Sequence, residues 1–135
     1  MAISCLTIET LESFKQGLAD TDKKSGKMFK DFFESEKSNF PGFSDVAKDF
    51  YENVRCGILH QAETTNAWRI LKSGALLNKG EKIINAKSFV TALRKSVADY
   101  LGVLHSEDWN SDAWKNVIIK LDDICDNCNV KKVYA

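Results

Sequence analysis

Residues 44–71 read SDVAKDFYENVRCGILHQAETTNAWRIL, and the rest of the chain is organised around this stretch. Apolar side chains recur every four positions in its first half, at Val46, Phe50 and Val54. This spacing is typical of one apolar face of an amphipathic helix. Ser44 is a favourable N-cap residue, because its hydroxyl can accept a hydrogen bond from the first turn. The pattern predicts a helix over residues 44–60, with a polar loop after it.

The end of the predicted helix has a different pattern. At about 100° per residue, Cys56 and Leu59 fall on the face that is polar earlier in the helix. Arg55 and His60 lie on either side of them, roughly 140° apart on an ideal helix. Gly57 costs about 1 kcal/mol relative to alanine inside a helix, so a close approach to the backbone is expected there. A second surface, from a partner subunit or a ligand, would account for Cys56, Gly57 and Leu59 together.

The segment from Arg55 to His60, RCGILH, is an Arg-x4-His motif at a helix end. With its surroundings, YENVRCGILHQAETTNAWRI, it resembles the HEPN superfamily, the small helical domains of many prokaryotic ribonucleases, toxins and anti-phage proteins. The resemblance is sharp over residues 44–71 and loose over the rest. It implies a homodimer in which two copies of Arg55 and His60 form one composite ribonuclease site. The family often has a polar residue after the arginine, where this chain has Cys56.

The pair has the chemistry that RNA cleavage needs. RNA carries its own nucleophile, the ribose 2′-hydroxyl, so the enzyme supplies a base, an acid and a cation. Histidine suits acid–base work near neutral pH, and arginine matches phosphate oxygens with a bidentate fork. Two copies of each residue could supply all three roles without a metal or cofactor, and the product would be a 2′,3′-cyclic phosphate.

Four nearby polar residues are candidates to support the site or bind the substrate. Glu52 and Asn53 precede the motif by one turn or less, and Gln61 and Glu63 follow it in the polar loop. The loop side chains could contact ribose or phosphate oxygens, although ordinary solvation of a surface loop explains them equally well.

Two less specific interpretations stay open. Arg55 and His60 could simply pair with carboxylates such as Glu52 or Glu63, or cap backbone carbonyls. The chain could also be a non-catalytic helical module that binds a protein partner or RNA, for example one component of a toxin–antitoxin or anti-phage system. Cys56 after the motif arginine and the zero net charge both favour this second function.

The composition of the 135 residues predicts one soluble domain, 1–135. Lys and Arg number 19, as do Asp and Glu, so bulk positive charge cannot drive nucleic-acid binding. No stretch approaches the roughly 20 apolar residues of a membrane span, and no signal peptide is visible. We therefore expect a cytoplasmic protein that has no membrane contact and keeps its cysteines reduced.

The remaining patterns predict a mainly α, HEPN-like bundle of four to five helices with a small β-hairpin after the motif. Further helices are predicted over 7–19, 27–38, 86–104 and 111–126, and the hairpin over 68–85. Asn85 is the expected N-cap of the long helix. The last helix has five apolar residues that should face inward, Trp114, Val117, Ile118, Leu121 and Ile124.

The second histidine and the cysteines give weaker patterns. His105 follows the long helix, where capping or solvation explains it better than catalysis. Cys125 and Cys128 form a single CxxC with no second pair, so four zinc ligands are not available at the usual spacing. This CxxC lies at a helix C-terminus, where the helix dipole does not favour a thiolate. We expect two ordinary thiols, with no metal site and no redox role.

Overall fold

The computed structural model describes residues 1–128, and the predicted mainly α fold is confirmed. The helices are α1 (Ala2–Gln16), α2 (Ser25–Ser35), α3 (Ala47–Phe50), α4 (Cys56–Gln61), α5 (Ala86–Ser106) and α6 (Asp112–Asn127). The strands are β1 (Arg69–Leu71), β2 (Leu77–Asn78) and β3 (Ile83–Asn85). None of the helices within this part of the chain combines the length and hydrophobicity needed to span a bilayer.

The first helix begins earlier than predicted, at Ala2 instead of residue 7. Its buried face already includes Cys5 and Ile8, so the apolar pattern extends nearly to the N-terminus. The helix ends at Gly17, whose φ of +61° allows the left-handed conformation that closes the last turn. The predicted end at residue 19 is therefore too late.

The core is built around phenylalanine rings, as the aromatic pattern of the second helix predicts. Met28, Phe29, Phe32 and Phe33 are all buried on α2. Phe33 stacks on Phe43 with ring centroids 4.9 Å apart. Further fully buried rings come from the turn after α2, from α3 and from α5, namely Phe40, Phe50 and Phe89. Phe40 and Phe43 thus anchor the turn after α2 to the core.

The β element after the motif is a three-stranded sheet, so the prediction of a single hairpin is wrong in part. The strand order is β1-β3-β2, with β2 antiparallel to β3 and β1 parallel to β3. Ile84, in the central strand β3, is fully buried beneath the sheet. The parallel pairing of β1 with β3 needs no tight turn between the two strands, so local turn residues do not indicate it. Strand β2 is only two residues long, which is too short for an alternating apolar pattern to mark it as a separate strand.

The last two helices begin where the sequence predicts. The side chain of Asn85 accepts hydrogen bonds from the backbone N–H groups of Lys87 and Ser88, and the hydroxyl of Ser111 accepts one from Trp114. The inward face predicted for α6 is mostly wrong. Only one of its five residues, Val117, is buried, whereas Ile118, Leu121 and Ile124 are exposed. The periodicity identified the apolar residues correctly, but within the described chain most of this face stays exposed.

Candidate functional site

The motif lies at the end of a helix that runs from Ser44 to Gln61 in four consecutive segments, which we call the motif helix. A 3-10 turn (Ser44–Val46) precedes α3, and a π-helical turn (Tyr51–Arg55) connects α3 to α4. The predicted N-cap at Ser44 is wrong. The cap position belongs to Phe43, whose backbone is already helical, and no side chain accepts a hydrogen bond there.

The π-helical turn is the main departure of the motif helix from the predicted geometry. The backbone N–H of Cys56 donates to the carbonyl of Tyr51, five residues earlier, instead of four. The extra residue in this turn rotates the side chains of the following residues of the motif helix away from the directions that a regular α-helix gives them. Cys56 and Leu59, which the regular helix places on the polar face, are consequently half-buried. Single π-turns within helices are frequent at functional sites.

Arg55 is the last residue of the π-helical turn and forms an ion pair with α1. Its Nε donates to Oε1 of Glu9 at 2.6 Å, and the two side chains are only 14% and 15% exposed. The guanidinium carbon lies 5.5 Å from the ring centroid of Tyr51. The hydrogen bond from Arg55 to Glu9 raises the pKa of the arginine, which is therefore permanently charged. Neither Glu52 nor Glu63, the carboxylates suggested by the sequence, is its partner.

Polar and sulfur-containing side chains surround the Glu9–Arg55 ion pair. Ser25 of α2 places its hydroxyl 3.5 Å from the second oxygen of Glu9, so three helices meet at this point. Cys56 lies beside the arginine, with Sγ 4.0 Å from Nη1. Burial raises the pKa of Tyr51, and a hydrogen bond with Cys56 raises it further. Tyr51 therefore stays an uncharged phenol beside the Glu9–Arg55 pair.

His60 lies in the last turn of α4 and is exposed to solvent. Within residues 1–128 it has no hydrogen-bond or ion-pair partner. The five residues from Arg55 to His60 turn the side-chain direction by roughly 140°. One protomer therefore directs Arg55 toward α1 and His60 toward solvent, on different sides of the same helix end.

Gly57 is buried against the polar loop of its own chain. A Cβ atom at this position would lie 2.5 Å from the carbonyl oxygen of Glu63 and 3.4 Å from the Cα of Thr64. The expected close approach exists, but the prediction that a partner subunit or ligand makes it at Gly57 is wrong. The loop folds back on the helix, so only the half-buried Cys56 and Leu59 remain of the predicted interface.

Asn53 holds this loop in place. Its backbone carbonyl accepts from the N–H of Thr65 at 2.8 Å, and its side-chain oxygen accepts from the Thr65 hydroxyl at 2.8 Å. Its side-chain nitrogen donates to Asp49 at 2.7 Å. The amide is thus engaged within the protein. The other candidates to support the site, Glu52, Gln61 and Glu63, are exposed, and Glu52 pairs with Lys48 at 3.8 Å.

Asp49 is a structural residue that the sequence analysis missed. It accepts hydrogen bonds from Asn53 and from the indole N–H of the buried Trp68, the latter at 3.1 Å, and pairs with Lys82 at 3.3 Å. Burial acts to raise the pKa of Asp49, but hydrogen bonds from Lys82 and Trp68 outweigh it and hold the pKa below its usual value. The aspartate therefore joins the motif helix to the loop and the sheet. No sequence pattern pairs residues so far apart.

The second histidine and the CxxC cysteines lie far from the motif in sequence, and no contact between them and the motif is seen. His105 is in the last turn of α5, and Cys125 and Cys128 are exposed thiols at the end of α6. Within residues 1–128, no group of three or more His, Cys, Asp or Glu residues is arranged to hold a metal ion. The remainder of the C-terminal tail, residues 129–135, lies outside the described part of the chain.

Comparison with protein-family models, with curated proteins and with solved structures gives no match for this chain. The functional assignment therefore rests on the residues of the motif helix and their surroundings.

Proposed function

We propose that the protein is a HEPN-like, metal-independent endoribonuclease that acts as a homodimer, in toxin–antitoxin or anti-phage defence. One observation carries the proposal. A solvent-exposed histidine, unpartnered within residues 1–128, follows by five residues an arginine that is fixed at a π-helical turn. An exposed acid–base group and a positioned permanent cation, each supplied twice by a dimer, provide the base, the acid and the cation that phosphodiester cleavage through the 2′-hydroxyl requires.

In this reaction His60 takes the proton from the ribose 2′-hydroxyl, and the 2′-oxygen attacks the adjacent phosphorus. The bond from phosphorus to the 5′-oxygen breaks, and the leaving oxygen receives a proton from the second His60 of the dimer. The products are a 2′,3′-cyclic phosphate and a free 5′-hydroxyl. Arg55 stabilises the additional negative charge on the phosphate oxygens in the transition state.

Glu9 acts as the positioning residue for Arg55. Its carboxylate accepts a hydrogen bond from Nε at 2.6 Å, which fixes the plane of the guanidinium, and Nη1 lies 4.0 Å from Sγ of Cys56. With 14% of the side chain exposed, only a small part of the arginine is accessible to a phosphate. A cation held in place by a fixed carboxylate loses little side-chain entropy when it binds the substrate.

The directions of the two side chains support the homodimer. Arg55 faces α1 while His60 faces solvent, so a single protomer does not place both groups in one cleft. A second copy would supply the missing group from the opposite side, and the half-buried Cys56 and Leu59 are then candidates for the contact.

A second candidate function is a non-catalytic helical module for a protein partner, such as an antitoxin, or for RNA. The observation that favours it is the neutralisation of Arg55 by Glu9 at low exposure, which is also the arrangement of a purely structural ion pair. In that case Arg55 stabilises the packing of α1 on the motif helix, and His60 is an ordinary surface residue.

The deciding experiment measures cleavage of several structured and single-stranded RNAs by the purified protein in EDTA. The variants are His60→Ala and, as a matched control, His105→Ala, which removes the other exposed histidine. We expect wild type and His105→Ala to cleave, and His60→Ala to be inactive while retaining its circular dichroism spectrum. Equal cleavage by His60→Ala, or no cleavage by any protein, would overturn the ribonuclease proposal and leave the binding module.

A further inference from the structure

Helix α6 carries an apolar stripe whose two central residues stay about half exposed and whose first residue, Trp114, stacks on Trp109 of the same protomer. Its members follow alternating steps of four and three residues: Trp114, Ile118, Leu121 and Cys125. These steps are the a and d positions of a heptad repeat, the spacing with which one helix packs along another. Ile118 and Leu121 at the centre of the stripe are 47% and 46% exposed.

The contacts of α6 with its own chain are on another side of the helix. The side-chain amide of Asn116 donates to the carbonyl of Lys15 at 2.7 Å, and Lys120 donates to the carbonyl of Ala19 at 3.1 Å. Val117, next to this side, is buried. At about 100° per residue, the centre of the stripe lies roughly 150° around the helix from this α1-facing side. The stripe is thus a separate surface of α6.

We propose that the stripe is covered by the same stripe of a second copy, with the two α6 helices running antiparallel. The two-fold axis passes between Ile118 and Leu121, so each Ile118 packs beside the partner's Leu121. Trp114 then lies opposite the partner's Cys125 at either end. The contact is isologous and closes on itself, as the common two-fold dimers do. It involves no residue of the motif helix and stands whether or not the chain cleaves RNA.

The charged residues beside the stripe favour a second copy as the partner and favour the antiparallel direction of the two helices. Lys115 and Asp122 are seven residues apart and occupy the same flanking position, e, of successive heptads. Within the protomer Lys115 pairs with the exposed carboxylate of Asp112 at 3.2 Å, a surface contact that the partner's Asp122 would replace. In an antiparallel pair position e faces position e, so each Lys115 meets the partner's Asp122, and symmetry gives the contact twice. A parallel pair would instead bring Asp122 beside the partner's apolar Val117. Complementary charges at these flanking positions fix the orientation of paired helices.

The net charge of the chain places no obstacle to self-association. Positive and negative residues both number 19, so two copies approach without long-range repulsion. The flanks of the stripe carry one lysine and one aspartate, which complement each other when two copies pair. A different protein with a single sign of charge would not match both of these residues. A second copy therefore satisfies the apolar stripe and its charged flank simultaneously.

The first test measures the molar mass by sedimentation equilibrium over a range from about 1 to 100 µM, a span of affinities typical of modest interfaces. We expect wild type to associate through this contact and its molar mass to be twice that of Leu121→Glu, whichever contact the motif helix makes. The matched control is Ile119→Glu, because Ile119 is 48% exposed on the same helix but lies outside the stripe. It should dimerise like wild type.

The second test reverses the flanking charges. Lys115→Asp places two aspartates opposite each other, and we expect at least a tenfold weaker dimer. The double variant Lys115→Asp/Asp122→Lys restores the complementary pairs in reversed order and should recover wild-type association. A monomeric wild type would overturn both this inference and the composite ribonuclease site. A molar mass that Leu121→Glu leaves equal to that of an associated wild type, or a double variant that stays as weak as the single one, would overturn the α6 contact alone.

Discussion

The carboxylate of Glu9 accepts a hydrogen bond from Nε of Arg55 at 2.6 Å, and this ion pair connects α1 to the motif helix. The arginine that the sequence assigns to catalysis is therefore also part of the packing of the bundle. The two roles are compatible, since a carboxylate at Nε leaves the outer edge of the guanidinium for a phosphate. The geometry makes Glu9 a residue whose loss should affect both stability and any activity.

Glu9→Gln removes the charge that partners Arg55 while nearly keeping the shape of the side chain. Hydrogen bonds to charged groups contribute about 1.5–3 kcal/mol, so we expect the free energy of unfolding in urea to fall by that amount. Glu52→Gln is the control, because its pair with Lys48 is exposed on both sides and contributes about 0.3–0.5 kcal/mol. Equal effects of the two variants would contradict a structural role of the Glu9–Arg55 pair.

Gly57→Ala should destabilise the protein, because the new Cβ would lie 2.5 Å from the carbonyl oxygen of Glu63. Introducing a methyl group into a filled space typically costs about 1–3 kcal/mol. The matched variant is Gly102→Ala in α5, where nothing lies within 4 Å of the added Cβ. There the substitution should stabilise the helix by up to about 1 kcal/mol. Thermal and urea unfolding would measure both, and effects of the same sign would refute this account of Gly57.

The four cysteines should differ sharply in reactivity. Burial raises the pKa of Cys5 to about 12, and its side chain is fully buried, so it stays a thiol in the folded protein at pH 8. Cys125 and Cys128 are exposed. Titration with a chromogenic disulfide should show these two reacting fast and Cys56 more slowly, because Cys56 is half-buried. Cys5 should react only after denaturant is added, and rapid reaction of Cys5 in the native state would contradict its placement.

Asp49 should give a pH-dependent contribution to stability. Its pKa in the folded protein lies below the usual value, so the folded state binds its proton less tightly than the unfolded state. The stabilisation is therefore present above the pKa of the unfolded chain, about 3.9, and is lost as the pH falls through the lower folded-state pKa.

We expect Asp49→Asn to be less stable than wild type in urea at pH 7, and the difference to shrink toward pH 2. Asp45→Asn serves as the control, since Asp45 forms an exposed pair with Lys79 outside the loop anchor. A difference for Asp49→Asn that is the same at both pH values would show that charge is not the source of its contribution.

Local sequence was sufficient for much of the fold. The positions of α5 and α6 follow from Asn85 and Ser111, whose side chains cap the first turns as expected. The aromatic spacing of α2 identified its buried face. These features depend on residues within one or two helical turns of each other, so a linear pattern contains all the information that determines them.

The arrangement at the candidate site could not be obtained in this way. Arg55 is paired with Glu9, 46 residues earlier, although nearer carboxylates were available. The backbone that fills the space beside Gly57 is the chain's own loop. The π-helical turn before the motif rotates Cys56 and Leu59 out of the positions that a regular helix gives them.

The sequence by itself determined which segments are helical, which face of each is apolar, and that an arginine and a histidine share one helix end. Only the tertiary structure decided which neighbour meets each face. It pairs Arg55 with α1, leaves His60 in solvent, and leaves Ile118 and Leu121 uncovered. The physical reason is that periodicity records the preference of a face for burial, whereas the partner that buries it depends on long-range packing.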